Sequence, residues 1–173
     1  MKAKSITKLF KSYLKIEKLK IDQNGVEVTR ERIKTTDAVA AVVYDTKKQK
    51  YIFVKQYRPG PDDELIEIVA GKIDKDETPK DSIIREIKEE LGYKVDTIYI
   101  IVPFHYVSPG YATERIQIYY AEVSEKISDG GGIEDEELEI IEMSKAELLM
   151  TDFTDGKTLS SVGGFMPTYF LFR

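Results

Sequence analysis

Three glutamates, Glu86, Glu89 and Glu90, fall within five consecutive positions of the 173-residue chain. Carboxylates this crowded repel one another. Arg85 and Lys88 are too few to neutralise them. The cluster also lies in the second half of a helical stretch, where the helix dipole disfavours negative charge. A solvated acidic face is the ordinary meaning of a Glu-Glu pair. Three features argue for a bound cation instead: the crowding, its position on the helix, and a preceding glycine-initiated loop able to offer backbone carbonyls. Oxygen donors without imidazole or thiolate suit Mg²⁺, with Mn²⁺ as a substitute. Mg²⁺ commonly shares its sphere with substrate phosphates, so phosphate chemistry is expected. Other chemistries drop out. The chain has no cysteine, which removes disulfides, thiolate zinc, Fe–S clusters and a cysteine nucleophile. Its one histidine, His105, cannot build a His-based metal cluster and reads as a hydrogen-bonded structural residue. No Gly-x-Ser-x-Gly elbow supports a serine triad.

These residues need a helix to hold them. Thr78 suits an N-cap, Pro79 the first helical position and Gly92 the residue just past the end. At about 100° per residue, Ile84, Ile87 and Leu91 line one stripe with Ile83 at its margin, and the glutamates face away from it. Strands surround the helix. Tyr13–Ile21 and Val26–Lys34 flank an Asn24-Gly25 turn and form an antiparallel arm of two or three strands. Asp37–Tyr44 is a continuous apolar run, as in a strand buried on both faces. Further strands are expected over Tyr51–Arg58, Leu65–Ala70, Thr97–Pro103, Glu114–Glu122 and Leu138–Met143. Ser144-Lys-Ala-Glu147 has a capping-box pattern opening a helix to about Asp152, and a final helix is expected from Thr158. The order implies an α/β fold: a mixed sheet with helices on its faces.

The bulk composition narrows the partners. Hydrophobic residues are 42% of the chain, enough for a core. The net charge is −5 with both signs interspersed, which argues against a nucleic-acid partner. Lysines are concentrated near the start, where they alternate with apolar residues as on a solvated strand face. No apolar run approaches the roughly 18 residues of a membrane span, and no signal peptide is apparent; the cytoplasm is the expected location.

The stretch from Gly71 to Tyr93 resembles the Nudix box, G-x5-E-x7-R-E-U-x-E-E-x-G-U, where U is bulky and aliphatic. Gly71, Glu77, Arg85, Glu86, Ile87, Glu89, Glu90 and Gly92 match in register, and Tyr93 departs at the last position. Gln56-Tyr-Arg58, Glu64–Gly71, Ser108-Pro-Gly110 with Glu114, the Gly130–Glu136 loop and Asp155-Gly-Lys-Thr158 are similar to the nucleoside-diphosphate-sugar branch of that family, which includes ADP-ribose and GDP-mannose pyrophosphatases. The resemblance implies a Nudix α/β/α sandwich over residues 37–173 and an N-terminal β arm over residues 1–36, exchanged between the subunits of a homodimer.

It also implies roles. Glu86 and Glu90 would be the principal metal ligands, with Glu89 close by and the carbonyl of Ala70 as another. Arg85 would orient the glutamates and pair with Glu77. Glu136 would be a further metal ligand or the base. Arg58, Glu114 and Lys157 would contact substrate, and the Arg30–Arg32 segment, with Arg30 and Glu31, would reach the partner's site. The implied reaction is Mg²⁺-dependent hydrolysis of the pyrophosphate bond in a nucleoside diphosphate sugar. The alternative is a Nudix module that binds a nucleotide sugar without cleaving it; retention of every box glutamate favours the enzyme.

Overall fold

The computed structural model describes residues 3–11, 14–132 and 137–165. The chain divides into two compact units, Met1–Asp37 with His105–Ile116 and Ala38–Phe104 with Gln117–Arg173.

The first unit carries a three-stranded antiparallel sheet: β1 (Ala3–Lys11), β2 (Lys15–Gln23) and β3 (Val26–Lys34), in that order. The β2–β3 ladder runs unbroken from Lys15↔Lys34 to Gln23↔Val26. Asn24 and Gly25 both take positive φ at the tip, and the Asp22 carboxylate accepts from the Gly25 N–H at 2.8 Å. The Asn-Gly pair thus makes the reversal for which it is suited. Glu17 is the one buried carboxylate described in this sheet. Arg32 grips it through Nε (2.9 Å) and Nη2 (2.8 Å) and holds its carboxyl below the ordinary range. The segment from His105 to Ile116 joins this unit through a parallel bridge between Ile33 and Ala112 and an Arg115–Asp37 ion pair.

The second unit is built on a seven-stranded mixed sheet of path β10-β5-β4-β9-β8, with β6 on β5 and β7 on β4. Its strands are β4 (Ala38–Asp45), β5 (Lys50–Arg58), β6 (Asp63–Glu67), β7 (Val69–Lys72), β8 (Tyr93–Tyr106), β9 (Arg115–Lys126) and β10 (Glu139–Met143). The apolar run in β4 is buried on both faces as its composition requires. One face packs Val39, Ala41 and Val43 with Ile52, Val54 and Tyr119 against α1 (Pro79–Glu86) and the turn that follows it. The opposite side includes Phe53, stacked on Phe153 at 5.2 Å between centroids. Near it lie α2 (Lys145–Met150) and α3 (Gly156–Ser160), each contributing a fully or almost fully buried residue, Leu148 and Thr158. Helices therefore cover the sheet on two sides.

Three expectations need correction. Leu65–Ala70 is not one strand. β6 pairs with Val54–Arg58 of β5, the chain breaks at Ile68, and β7 takes over the edge of β4 with Ala40 opposite Ala70. The reason is that β4 pairs with β5 only over Val43–Asp45, which leaves the Ala38–Ala41 edge open for a new partner. The strand expected over Thr97–Pro103 is longer at both ends. The helix expected from Thr158 begins at Gly156, because Asp155 caps it by accepting from the Thr158 N–H at 2.9 Å. Residues 166–173, including Tyr169–Phe172, lie outside the described residues, as does Tyr13. Among the described residues, no helix is long and apolar enough to cross a membrane.

Candidate active site

The site is built on α1. Thr78 caps it, accepting from the Asp81 N–H at 3.2 Å, and Pro79 opens it. The helix does not stay α to its end. Ile87–Leu91 forms a π-helical turn that stops at Gly92, whose φ of 77° lies in the left-handed region. A π turn changes the angular spacing of the residues it contains. Two expectations about this helical stretch need correction. The buried stripe is Ile83, Ile87 and Leu91, with Ile84 only half-buried. Glu90 does not share an exposed face with its neighbours: it is 5% exposed.

A distant loop closes the turn. Gly131 and Gly132 donate their N–H groups to the carbonyls of Glu90 (2.8 Å) and Glu89 (3.2 Å), and Ile127 and Ser128 donate to Gly92 (2.7 and 3.1 Å). Helix-end carbonyls otherwise lack partners. The fit demands glycine. A Cβ on Gly92 would run into the Ser128 carbonyl, and one on Gly130, itself at φ 72°, would sit 2.6 Å from the Glu90 carbonyl oxygen. Gly130–Gly132 thus hold the start of the acidic loop against the end of the glutamate turn. Glu136, farther along that loop, lies outside the described residues.

Arg85 organises the glutamates. Its Nε and Nη2 each reach one Glu77 oxygen at 3.0 Å. Its Nη1 donates to Glu86 (2.8 Å) and Glu89 (2.9 Å), and Asp74 stands 3.8 Å away. The guanidinium holds the Glu77 carboxyl below its ordinary range. Among the described residues, no three carboxylate or imidazole groups form a ready cage for a cation. Glu86 and Glu89 meet on Arg85 rather than on each other.

The residues nevertheless fit a divalent cation. The Glu86 carboxylate lies against Gly71 so closely that a Cβ there would overlap it. That brings a carboxylate onto the backbone next to Ala70, the residue expected to offer a carbonyl. Glu90, in the turn that follows Glu86, is buried. Its Oε2 accepts no hydrogen bond among the described residues, although the carboxylate interacts electrostatically with Arg58. Every donor offered is oxygen, as Mg²⁺ prefers.

The substrate candidates divide. Arg58, at the end of β5, and Lys157, on α3, come together on Glu67. Arg58 grips it through Nε–Oε1 (2.7 Å) and Nη2–Oε2 (2.8 Å), and Lys157 Nζ bonds Oε2. Glu67 is 1% exposed and was not foreseen as a site residue. A signal existed: it is a lone acid inside the apolar run Leu65–Val69. Glu114 is half-buried and belongs to the unit of the N-terminal sheet, as do the exposed Arg30 and Glu31 on β3.

Tyr93, at the position where the box pattern has an aliphatic residue, belongs to the core. Its ring is buried, and its hydroxyl donates to Asp45 at 3.0 Å. Burial pushes its hydroxyl pKa up. The ring supplies the apolar surface, and the buried Asp45 satisfies the polar atom.

Comparison with known proteins agrees with this geometry. The NUDIX domain model matches residues 34–161. The chain is 33% identical over 168 residues to a GDP-mannose pyrophosphatase of Yersinia enterocolitica, covering 87% of both chains. It is 35% identical to the ADP-ribose pyrophosphatase of Bacillus subtilis, over 73% of this chain and 68% of that one. It is 34% identical to a methanol dehydrogenase activator of Bacillus methanolicus, over 78% and 75%. The crystal structure of an ADP compounds hydrolase superposes with a TM-score of 0.81 at 22% identity, covering 98% of this chain and 93% of that one, and so shares its fold. With the box in register on an α-to-π helix and its domain model matched across most of the chain, the protein belongs to the NUDIX family, as one of its hydrolases.

Proposed function

We propose that the protein hydrolyses the pyrophosphate bond of a nucleoside diphosphate sugar of the ADP-ribose or GDP-mannose type, giving a nucleoside monophosphate and a sugar phosphate. The observation that carries this reading is the Glu86 carboxylate laid on Gly71 beside Ala70, on the same helical stretch as the buried Glu90. The names of the relatives supply the substrate class. Glu86, Glu89 and Glu90, the Ala70 carbonyl and Glu136 would hold Mg²⁺, with Mn²⁺ able to substitute. Bound there, the ion would neutralise phosphate charge and lower the pKa of the attacking water.

The chain's own groups do the rest. Glu77 fixes Arg85, and Arg85 fixes the orientation of Glu86 and Glu89. Arg58 and Lys157 would attract the diphosphate, and Glu114 would contact the substrate. Glu136 would accept the proton of the attacking water. Residues 1–36 would form an arm exchanged in a homodimer, placing Arg30 and Glu31 at the partner's site, with residues 37–173 as the hydrolase domain. Exposed Ile6, Leu14 and Val26 supply apolar surface in that arm for such an exchange.

The test is direct chromatographic measurement of the nucleoside monophosphate formed from ADP-ribose and GDP-mannose, with Mg²⁺ and with EDTA. Turnover with Mg²⁺ that EDTA abolishes is the expected result; no turnover of any nucleotide sugar would sink the reading. One observation favours a second reading. The similarity to a protein named as a methanol dehydrogenase activator favours a regulatory role, here a module that binds a nucleotide sugar without cleaving it. Saturable nucleotide-sugar binding without product formation would select it.

A further inference from the structure

We infer that Glu67 is a positioning residue for substrate binding, holding Arg58 and Lys157 as a pair of cations for the diphosphate. This rests on the reading of the site as a nucleotide-sugar site. Glu67 is the last residue of β6, just before the Ile68 corner, and its carboxylate is all but fully buried. Two cations from elements far apart in sequence converge on it: Arg58 through two forked hydrogen bonds, and Lys157 through Nζ. The corner is fixed as well. The Ile68 N–H donates to Thr158 Oγ1 at 2.9 Å, and Thr158 donates to Asp155 at 2.7 Å. Asp155 accepts from Lys157 Nζ at 3.0 Å. One carboxylate and one corner therefore dock α3 and the end of β5 together.

Stability alone is a weak reason for such a cluster, because well-packed apolar residues commonly serve a buried site as well as an ion pair does. Its geometry suggests the other reason. Glu67 occupies Nε and Nη2 of Arg58 and leaves Nη1 without an acceptor among the described residues. The Arg58 side chain is 38% exposed, and its charge is within electrostatic reach of Glu90. A guanidinium locked through two of its nitrogens loses little freedom on binding and presents the remaining donor to phosphate oxygen.

The test compares wild type with Glu67→Gln and Glu67→Asp, the second keeping the charge on a side chain one methylene shorter. Calorimetric titration of ADP-ribose and of GDP-mannose in EDTA gives binding without turnover, and steady-state assays with Mg²⁺ separate KM from kcat. Loss of a charge-held anchor should raise Kd and KM about tenfold for Glu67→Gln while kcat changes less. In an Arg58→Ala, Lys157→Ala background, Glu67→Gln should add nothing further. A folded Glu67→Gln with Kd and KM within about twofold of wild type, or an effect additive with the double alanine background, would overturn the inference. If Glu67→Gln fails to fold, Glu67→Asp decides: unchanged Kd and KM overturn the inference, and a rise of about threefold or more supports it. The two readings fail separately. A wild type that binds but does not cleave removes only the proposed hydrolysis, and one that binds neither nucleotide removes both.

Discussion

The Arg85 cluster and the Glu67 cluster are built with opposite stoichiometry. Around Arg85, one guanidinium faces Asp74, Glu77, Glu86 and Glu89, so negative charge is in excess. Around Glu67, two cations, Arg58 and Lys157, face Glu67 and Asp155, so the charges balance. The first arrangement is electrostatically unsatisfied by its own residues and gains from an added cation. The second balances its own charges, and removing a member leaves a buried charge unpaired. Surplus negative charge thus suits a group that would take up a cation, and balance suits one that fixes the two cations proposed to meet the diphosphate.

Substitutions in the two clusters test that contrast. The largest effect is expected at Glu90, next to Glu89 of the surplus cluster and a proposed metal ligand. Glu90→Gln should lower kcat by about a thousandfold at saturating Mg²⁺, several kcal/mol of barrier, with the fold intact by circular dichroism. Retained activity would remove Glu90 from the metal site. Next comes a difference in stability measured by urea unfolding in EDTA. Glu67→Gln, breaking a buried ion pair, should cost about 3 kcal/mol. Glu89→Gln, which relieves like-charge crowding, should cost nothing or stabilise by about 0.5 kcal/mol. Equal losses in the two variants would refute the distinction. Gly71→Ala pushes a methyl group into the Glu86 carboxylate, and a displacement of order 1 Å there should reduce kcat by about a hundredfold.

Smaller effects follow. Gly130→Ala combines a positive φ with a Cβ 2.6 Å from the Glu90 carbonyl and should lower stability by about 1–3 kcal/mol. The pH dependence of Glu77 is smaller still. Arg85 lowers its carboxyl pKa in the folded state below the ordinary 4.5, so the unfolded chain takes up the proton first. The stabilisation is whole above pH 4.5 and is lost as pH falls through the folded-state value. The stability gap between wild type and Glu77→Gln, read by urea unfolding, should therefore narrow as pH falls below 4.5. A constant gap would place the effect of Glu77 elsewhere.

Much of the surplus cluster was legible in the sequence, because its parts lie within 23 residues and their spacing is a local property. Thr78, Pro79 and Gly92 fix the ends of the helix whatever surrounds it. The π turn was not legible. Part of its stabilisation comes from the amides of Gly131 and Gly132, about forty residues on, and helical periodicity carries no trace of a partner that distant. The burial of Glu90 goes with that turn, whereas Ile84 lies ahead of it on α1, where Ile83 takes the buried position. Glu67 shows in the sequence only as a lone acid in an apolar run; its convergence with Lys157, 90 residues on, does not show there. The split of Leu65–Ala70 was hidden because a strand that changes partners keeps its composition; only the short β4–β5 ladder reveals it. The fold class was legible because alternation, caps and the buried β4 run depend on near neighbours.

The glycine clamp has a further use as a clock. The amide protons of Gly131 and Gly132 end on the backbone carbonyls of Glu90 and Glu89. Neither proton can exchange with solvent deuterium until the loop lifts from the turn. Their exchange rates therefore time the opening of the carboxylate platform at two backbone positions that need no label, and a cation that stiffens the platform should slow both together.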